Sequence, residues 1–340
     1  MTKILITGGN GFVAHHIIEH ILKTTDWNIV TLDRLSNPNT MGYDKLRDIG
    51  AYDSSRLEHY NADLNQKIGT GLAKELGEFN YILHIAANSH VDTSITSPVD
   101  FIQNNVTSTL NILEYSRTLD NLDKFLYFST DEVYGTAPEG VDYKEGDRHN
   151  PGNPYSASKA AAEDICRAYA NTYRLPIVIT NGMNILGERQ DPEKFFPKVI
   201  NYVLDGSKTP IHSSPDKKQA GKRHYIHARN VASAIVFVLT QTEETLSQRD
   251  ASLGQFNIVG EKEFDNLELA KFIADHLDMP LNYEMVDFHS SRPGHDMRYG
   301  LDGGKLERLG WKPPLSIEES MRRIIDWSLR PENLKWLGRQ

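Results

Sequence analysis

The chain has 340 residues, 39% hydrophobic and 24% charged, with a formal net charge of −9. That acidic balance argues against general nucleic-acid binding, which needs a basic footprint, yet allows an anionic small molecule in a local basic pocket. One cysteine, Cys166, excludes an intrachain disulfide and a cysteine zinc cluster. No apolar run approaches the roughly 20 residues of a membrane helix. The start runs straight into a strand pattern without the features of a secretory signal, so a reducing, cytoplasmic location is expected.

The first 180 or so residues alternate strand and helix patterns. Residues 3–7, KILIT, are a short apolar run ending in glycines, and 12–22 carry apolar residues at helical spacing. Residues 28–33 and 81–87 read as strands, and 99–117 as a long helix. A strand over 124–130, an alanine-rich helix over 155–173 and a strand over 176–183 follow. Beyond that the pattern is less regular. Helices are expected over 229–241, 266–277 and 315–329, a strand near 254–260, and a polar, basic loop at 213–223. Buried strands separated by helices predict a parallel sheet covered on both faces. The expected fold is therefore α/β, a Rossmann-type doubly wound parallel sheet with a smaller mixed C-terminal domain. The sheet domain is expected over 1–183 plus about 225–255, and the smaller one over about 184–224 and 256–340.

Residues 7–14, TGGNGFVA, follow the first strand and open the first helix. Gly8 allows a tight turn, and Gly11 lets backbone N–H groups approach a pyrophosphate at the helix start, where Phe12 and Val13 follow. Ala14 is the small residue that lets helix and strand pack closely. Asp33 ends the second strand and suits both hydroxyls of an adenosine ribose, which favours NAD over NADP; Arg34 beside it keeps a lesser NADP reading. Asp63 and Leu64 stand at a further strand end and could flank an adenine. His15, His16 and His20 lie on the first helix. His16 and His20 have the four-residue spacing of a metal pair, but no third ligand is evident, and surface histidines are expected.

Two further features carry chemistry. Tyr155 and Lys159 lie one helical turn apart on one face. A tyrosine ionises near pH 10; a neighbouring ammonium and the positive nicotinamide ring would lower that and fit it as a base. Second, the strand 124–130 runs directly into Thr130, Asp131 and Glu132. A carboxylate beside a core is costly unless it is paired, hydrated or used.

Together these motifs resemble the extended short-chain dehydrogenase/reductase superfamily. Residues 84–109, 128–135, 153–160, 192–200 and 292–313 resemble, within it, the nucleotide-sugar 4,6-dehydratases, over nearly the full chain. The resemblance implies that Tyr155 takes the proton of the sugar 4-hydroxyl, with Lys159 beside it and Thr130 bound to that hydroxyl. It implies that Glu132 removes the C5 proton and that protonated Asp131 donates to the leaving C6 hydroxyl. Ala86, Ala87, Ser89 and Asn104 would line the cofactor, and Ser89 the sugar as well. Asn184, Lys194, Arg223, Asn257, Arg292 and His295 would hold the nucleoside diphosphate. A homodimer through the helices near 100–117 and 156–173 is implied too.

The sequence departs from the family pattern at Ala14, at Asn88 in place of a glutamate, and over 181–191, 213–221 and 222–230. The expected substrate is accordingly dTDP-glucose, with UDP-glucose or a UDP-N-acetylhexosamine open. A sugar 4-epimerase, a decarboxylase or an idle binding protein are the alternatives, all disfavoured by the acid pair.

Overall fold

The computed structural model describes residues 1–35, 42–242, 254–287 and 297–339. The strands are β1 (Lys3–Thr7), β2 (Asn28–Asp33), β3 (Leu57–Asn61), β4 (Tyr81–His84), β5 (Lys124–Thr130), β6 (Ile177–Gly182), β7 (Asn184–Leu186), β8 (Thr209–Ser213), β9 (Lys222–His227), β10 (Gln255–Ile258), β11 (Glu263–Asp265) and β12 (Tyr283–Asp287). The helices are α1 (Phe12–Thr24), α2 (Asp44–Asp48), α3 (Thr70–Leu76), α4 (Val91–Thr96), α5 (Pro98–Ser116), α6 (Pro154–Tyr173), α7 (Phe195–Leu204), α8 (Ala228–Thr240), α9 (Asn266–His276), α10 (Gly304–Arg308) and α11 (Ile317–Ser328).

Seven parallel strands form the main sheet in the order β3-β2-β1-β4-β5-β6-β10. Alternate side chains of each strand feed opposite faces. Ile4 and Ile6 of β1 pack towards α1 and α8, whereas Leu5 packs with Ile112 of α5 and Cys166 of α6. The chain order reverses between β1 and β4, so the strands' carboxyl ends open onto one crevice there. This is the doubly wound α/β fold expected from the sequence.

A second core lies under two small sheets, β11-β9-β7 and β12-β8. It joins Phe196 and Ile200 of α7, Ile211 of β8, Leu269 and Ile273 of α9, and Met321 and Ile325 of α11. β10 completes the main sheet by pairing with β6.

Two local expectations need correcting, and one turn was not anticipated. The strand expected over 81–87 ends at His84, because the Ile85 and Ala86 amides both donate to Thr7 Oγ1 at 3.2 Å instead of a ladder carbonyl. After β5 the chain enters a 3₁₀ turn, Asp131–Tyr134, capped by Thr130 Oγ1, which accepts from Glu132 N at 3.4 Å. And His15 and His16 are not surface residues but fully buried. His16 Nε2 donates to the Glu188 carbonyl at 3.2 Å, and among the described residues no group of three or more His, Cys, Asp or Glu is placed to hold a metal.

Candidate active site

The glycine turn is built for close approach. Gly8 has φ +69°, and a Cβ there would stand 2.8 Å from the Ala86 Cα, so the turn and the β4–α4 loop meet backbone to backbone. Gly11 caps α1 without any side-chain hydrogen bond, leaving the first N–H groups of the helix directed at whatever anion lies there. Asn10 is buried with both side-chain amide atoms unpartnered among the described residues. Asp33 Oδ2 accepts from Asn10 N at 3.0 Å and Oδ1 from Leu35 N at 2.8 Å, so the carboxylate is fixed at the end of β2. Arg34 donates to Asn88 Oδ1 at 3.2 Å and lies 3.8 Å from Asp63. An unspent polar amide and an uncapped helix start, in a cradle only glycine leaves open, fit a dinucleotide. Replacing Gly8 by Ala is expected to cost at least about 2 kcal/mol from the left-handed backbone and the clash. The purified protein should also lose most of its NAD, as urea unfolding and cofactor content would show.

Beside that turn, Asn104 Nδ2 donates to Asn105 Oδ1 at 2.9 Å and its Oδ1 accepts from Asn65 at 3.3 Å. Asn105 was not foreseen. It is buried, accepts from Asn88 N at 2.8 Å, and donates to Asn88 O at 3.1 Å and Ser158 Oγ at 2.9 Å. It thereby clamps the loop carrying Ala87 and exposed Ser89 onto α6, the helix of Tyr155 and Lys159.

The register Thr130↔Gly182 sets the end of β5 at the crevice. Thr130 Oγ1 donates to Asp131 Oδ1 at 3.0 Å and its hydroxyl is hydrogen-bonded to Tyr155. Asp131 is 4% exposed, and its Oδ2 has no hydrogen-bond partner among the described residues. Burial, and then the charge of Glu132, push its carboxyl up to about 7. Glu132 Oε2 accepts from Asn153 Nδ2 at 3.1 Å and from the Tyr299 hydroxyl at 3.4 Å. Two neighbouring carboxyls thus occupy different surroundings, one buried with a single oxygen hydrogen-bonded, the other accepting from Asn153 and Tyr299, which is how an acid and a base come to coexist.

Tyr155 departs from expectation. Burial, then Glu132 and Asp131, hold its phenol well above the usual value. Lys159 does not offset them: its ammonium donates to Phe128 O at 2.6 Å and lies 4.2 Å from the Tyr127 ring centre. Burial lowers Lys159 to about 8, opposed by Glu163 one turn along. Glu163 is wholly buried and accepts from Asn181 Nδ2 at 2.6 Å, the same amide that donates to Thr130 O at 3.2 Å. Asn181 and Glu163 therefore tie the strand end to α6.

The residues expected to hold the nucleoside diphosphate divide. Asn184 presents a buried Nδ2 without a partner among the described residues, and Lys194 stands at the start of α7. Arg223 is buried, donates to the carbonyls of Lys222 and Met297, and stacks 4.5 Å over the ring of Tyr299, which in turn reaches Glu132. Asn257 is not brought to the open crevice. It is fully buried in β10, and its Nδ2 is spent on the carbonyls of Tyr143 and Asp302, both at 3.1 Å, so it braces those loops. Arg292 and His295 lie outside the described residues. Asn153 could have been found as a helix cap from the Pro154 that follows it; its reach to Glu132, like that of Tyr299, depends on tertiary placement.

A doubly wound sheet whose switch-point crevice holds both a dinucleotide turn and a Tyr155–Lys159 helix defines a short-chain dehydrogenase/reductase-type protein. The chain belongs to the nucleotide-sugar 4,6-dehydratase family, the family model for GDP-mannose 4,6 dehydratase matching residues 5–324. It is 34% identical to a dTDP-glucose 4,6-dehydratase of Salmonella typhimurium, over 99% of this chain and 94% of that one. Among solved structures it is similar to DesIV, the dTDP-glucose 4,6-dehydratase of Streptomyces venezuelae crystallised with NAD, with a TM-score of 0.82, 31% identity and 98% of both chains covered. The UDP-glucose 4-epimerase of Thermus thermophilus, also with NAD, superposes with a TM-score of 0.81 at 26% identity, over 96% of this chain and 98% of that one. The fold alone therefore does not separate dehydratase from epimerase.

Proposed function

We propose that this protein is an NAD-dependent NDP-glucose 4,6-dehydratase, a hydro-lyase that converts an NDP-hexose to its 4-keto-6-deoxy form and keeps its NAD tightly bound. The observation that carries this is the acid pair at the end of β5, with Asp131 dry and shifted to about 7 beside a hydrogen-bonded Glu132. A 4-epimerase expels no group from C6 and has no use for a buried acid there. The dTDP-glucose dehydratases among its relatives favour dTDP-glucose as substrate. UDP-glucose and a UDP-N-acetylhexosamine are the alternatives, because the departures over 181–191 and 222–230 include or adjoin Asn184 and Arg223.

In this reading Thr130 orients the sugar 4-hydroxyl and Tyr155 takes its proton. Bound NAD supplies a hydride acceptor that gives back at C6 what it takes at C4, together with a positive ring charge opposing the two carboxylates around Tyr155. The 4-keto group acidifies C5, Glu132 accepts the C5 proton, and Asp131 gives its proton to the C6 hydroxyl, which leaves as water. Reprotonation at C5 by Glu132 completes the 4-keto-6-deoxy product. Gly8, Gly11, Phe12, Val13, Asp33, Arg34, Asp63, Leu64, Ala86, Ala87, Ser89 and Asn104 are assigned to the cofactor; Ser89, Asn184, Lys194 and Arg223 to the nucleotide sugar. The domain holding the main sheet would carry the cofactor and the one with the second core the nucleotide.

The test is turnover of dTDP-, UDP-, CDP- and GDP-glucose by purified protein without added reductant. A product lighter by one water, formed fastest from dTDP-glucose, is expected. A product isomeric with its substrate would overturn the reading.

Assembly as a homodimer belongs to the same proposal. Val99, Ile102 and Leu110 lie exposed at helical spacing on α5 (63%, 46% and 38%), and α5 packs beside α6, so two copies could pair these helices; sedimentation at twice the chain mass is expected. A cytoplasmic location is proposed on the single, buried, free Cys166. No helix among the described residues is long and apolar enough to cross a membrane.

A further inference from the structure

Two of the segments in which the sequence departs from the family pattern, 181–191 and 222–230, meet the two buried histidines of α1. Hydrogen-bond roles there follow from the donors alone. Arg189 Nε can only donate, so His15 Nε2, 3.0 Å away, is the acceptor; His15 Nδ1 then carries the proton and donates to Gly11 O at 3.3 Å. His227 Nδ1 accepts from Arg229 N at 2.9 Å, so its Nε2–H faces Glu188 Oε2 at 3.0 Å. Arg229 NH2 holds the other Glu188 oxygen at 2.9 Å. The neutral rings agree with burial, which holds His15 and His16 well below the usual histidine value.

Arg189 is the centre of this arrangement. Its backbone is left-handed, φ 64°, a conformation an arginine adopts only where its surroundings hold it. NH1 donates to Asp48 Oδ2 of α2 at 2.8 Å, and the guanidinium lies 5.0 Å from the Trp327 ring centre of α11. The turn it belongs to is closed on itself by Gln190 Nε2 to Ile185 O at 2.8 Å and Lys194 N to Asp191 O at 2.9 Å. Asp191 lies 3.5 Å from His90, next to Ser89. At Gly187 a Cβ would stand 3.1 Å from His16 and 3.3 Å from Phe12. The segment from Asn184 to Lys194, β7 and the turn after it, thus rests on the start of the cofactor helix.

We propose that Arg189 is a positioning residue for the nucleotide sugar: bridging His15 on α1 to Asp48 on α2, it locks the 184–194 turn, and with it Asn184 and Lys194, in register with the cofactor turn. This rests on the reading of those two residues as nucleotide-sugar ligands. Arg189 touches neither ligand in this account; it acts through the turn.

The test uses the holoenzyme, with calorimetric titration of dTDP and UDP beside steady-state kinetics and NAD content. Arg189→Met is expected to weaken nucleoside-diphosphate binding and raise KM roughly tenfold or more, the scale of one charge-assisted hydrogen bond, with kcat within about threefold and NAD retained. His15→Leu, which leaves the guanidinium facing an apolar group, should behave alike. His15→Gln, whose amide oxygen can accept from Nε, should restore KM, and this pair carries the test if Arg189→Met does not fold. Equal nucleotide binding by wild type and both disrupting variants, or a loss confined to kcat, overturns the proposal. Failure of the wild type to bind either nucleotide overturns the assignment of the site beneath it.

Discussion

Asp131→Asn should stop the reaction halfway. The variant keeps the shape and the Thr130 contact but has no proton to give, so water loss should fall by roughly 10²–10⁴-fold, the scale of a general acid. In the proposed reading oxidation at C4 needs Tyr155 rather than Asp131, so adding substrate should still reduce the bound NAD, visible as reduced-nicotinamide absorbance that does not decay. Full dehydration by the variant would refute the role given to Asp131. The wild-type pH profile follows from the same group. In the proposed reading its acid form is the active one, so elimination should fall as pH rises through about 7, where burial and Glu132 have placed it. Stability carries the same sign. A carboxyl raised from near 4 to about 7 on folding favours the native state fully below pH 4, and this contribution is lost as pH rises through 7. Asn does not titrate. The variant should therefore gain on the wild type between pH 5 and pH 8, by about 2 kcal/mol in urea unfolding, an exchange of stability for function of the kind active sites make.

Tyr155→Phe should stop it earlier. Among the described residues the phenol is the one group besides Asp131 placed to take a proton from the Thr130 hydroxyl, and removing it should cost roughly 10³-fold or more in turnover, with no NAD reduction on mixing. Nucleotide-sugar binding should stay within a few-fold, because the proposal assigns the other end of the substrate to Asn184 and Lys194. NAD reduction at the wild-type rate would exclude Tyr155 as the base. Because its phenol is raised by burial and two carboxylates, Glu132→Gln should ease its ionisation and shift the basic requirement of C4 oxidation to lower pH, even as dehydration is lost.

Much of this was legible in the chain. β1, β2 and β5 span the residues their apolar runs marked, and α6 begins where the Asn-Pro start announces a cap. The glycine turn and the acid pair declared themselves because local rules fix them: a left-handed glycine at a strand–helix turn, and two charges where a core strand ends. What stayed hidden depends on partners distant in sequence. Asn105 clamps Asn88 to Ser158, and nothing local distinguishes it from its neighbour Asn104. Lys159 was expected to act on Tyr155, but the Phe128 carbonyl claims its ammonium. His15 and His16 looked like surface residues because helical spacing alone does not show a second buried face; the 187–189 turn, folded back over α1, supplies it.

The central claim is that hydrogen leaves C4 and arrives at C6 within one sugar while water is lost. dTDP-glucose deuterated at C4, turned over by the NAD-loaded protein in ordinary water, tests it directly. The expected result is a 4-keto product lacking one water, with the deuterium in its C6 methyl group. Deuterium still at C4 in a product that retains its C6 oxygen would contradict it.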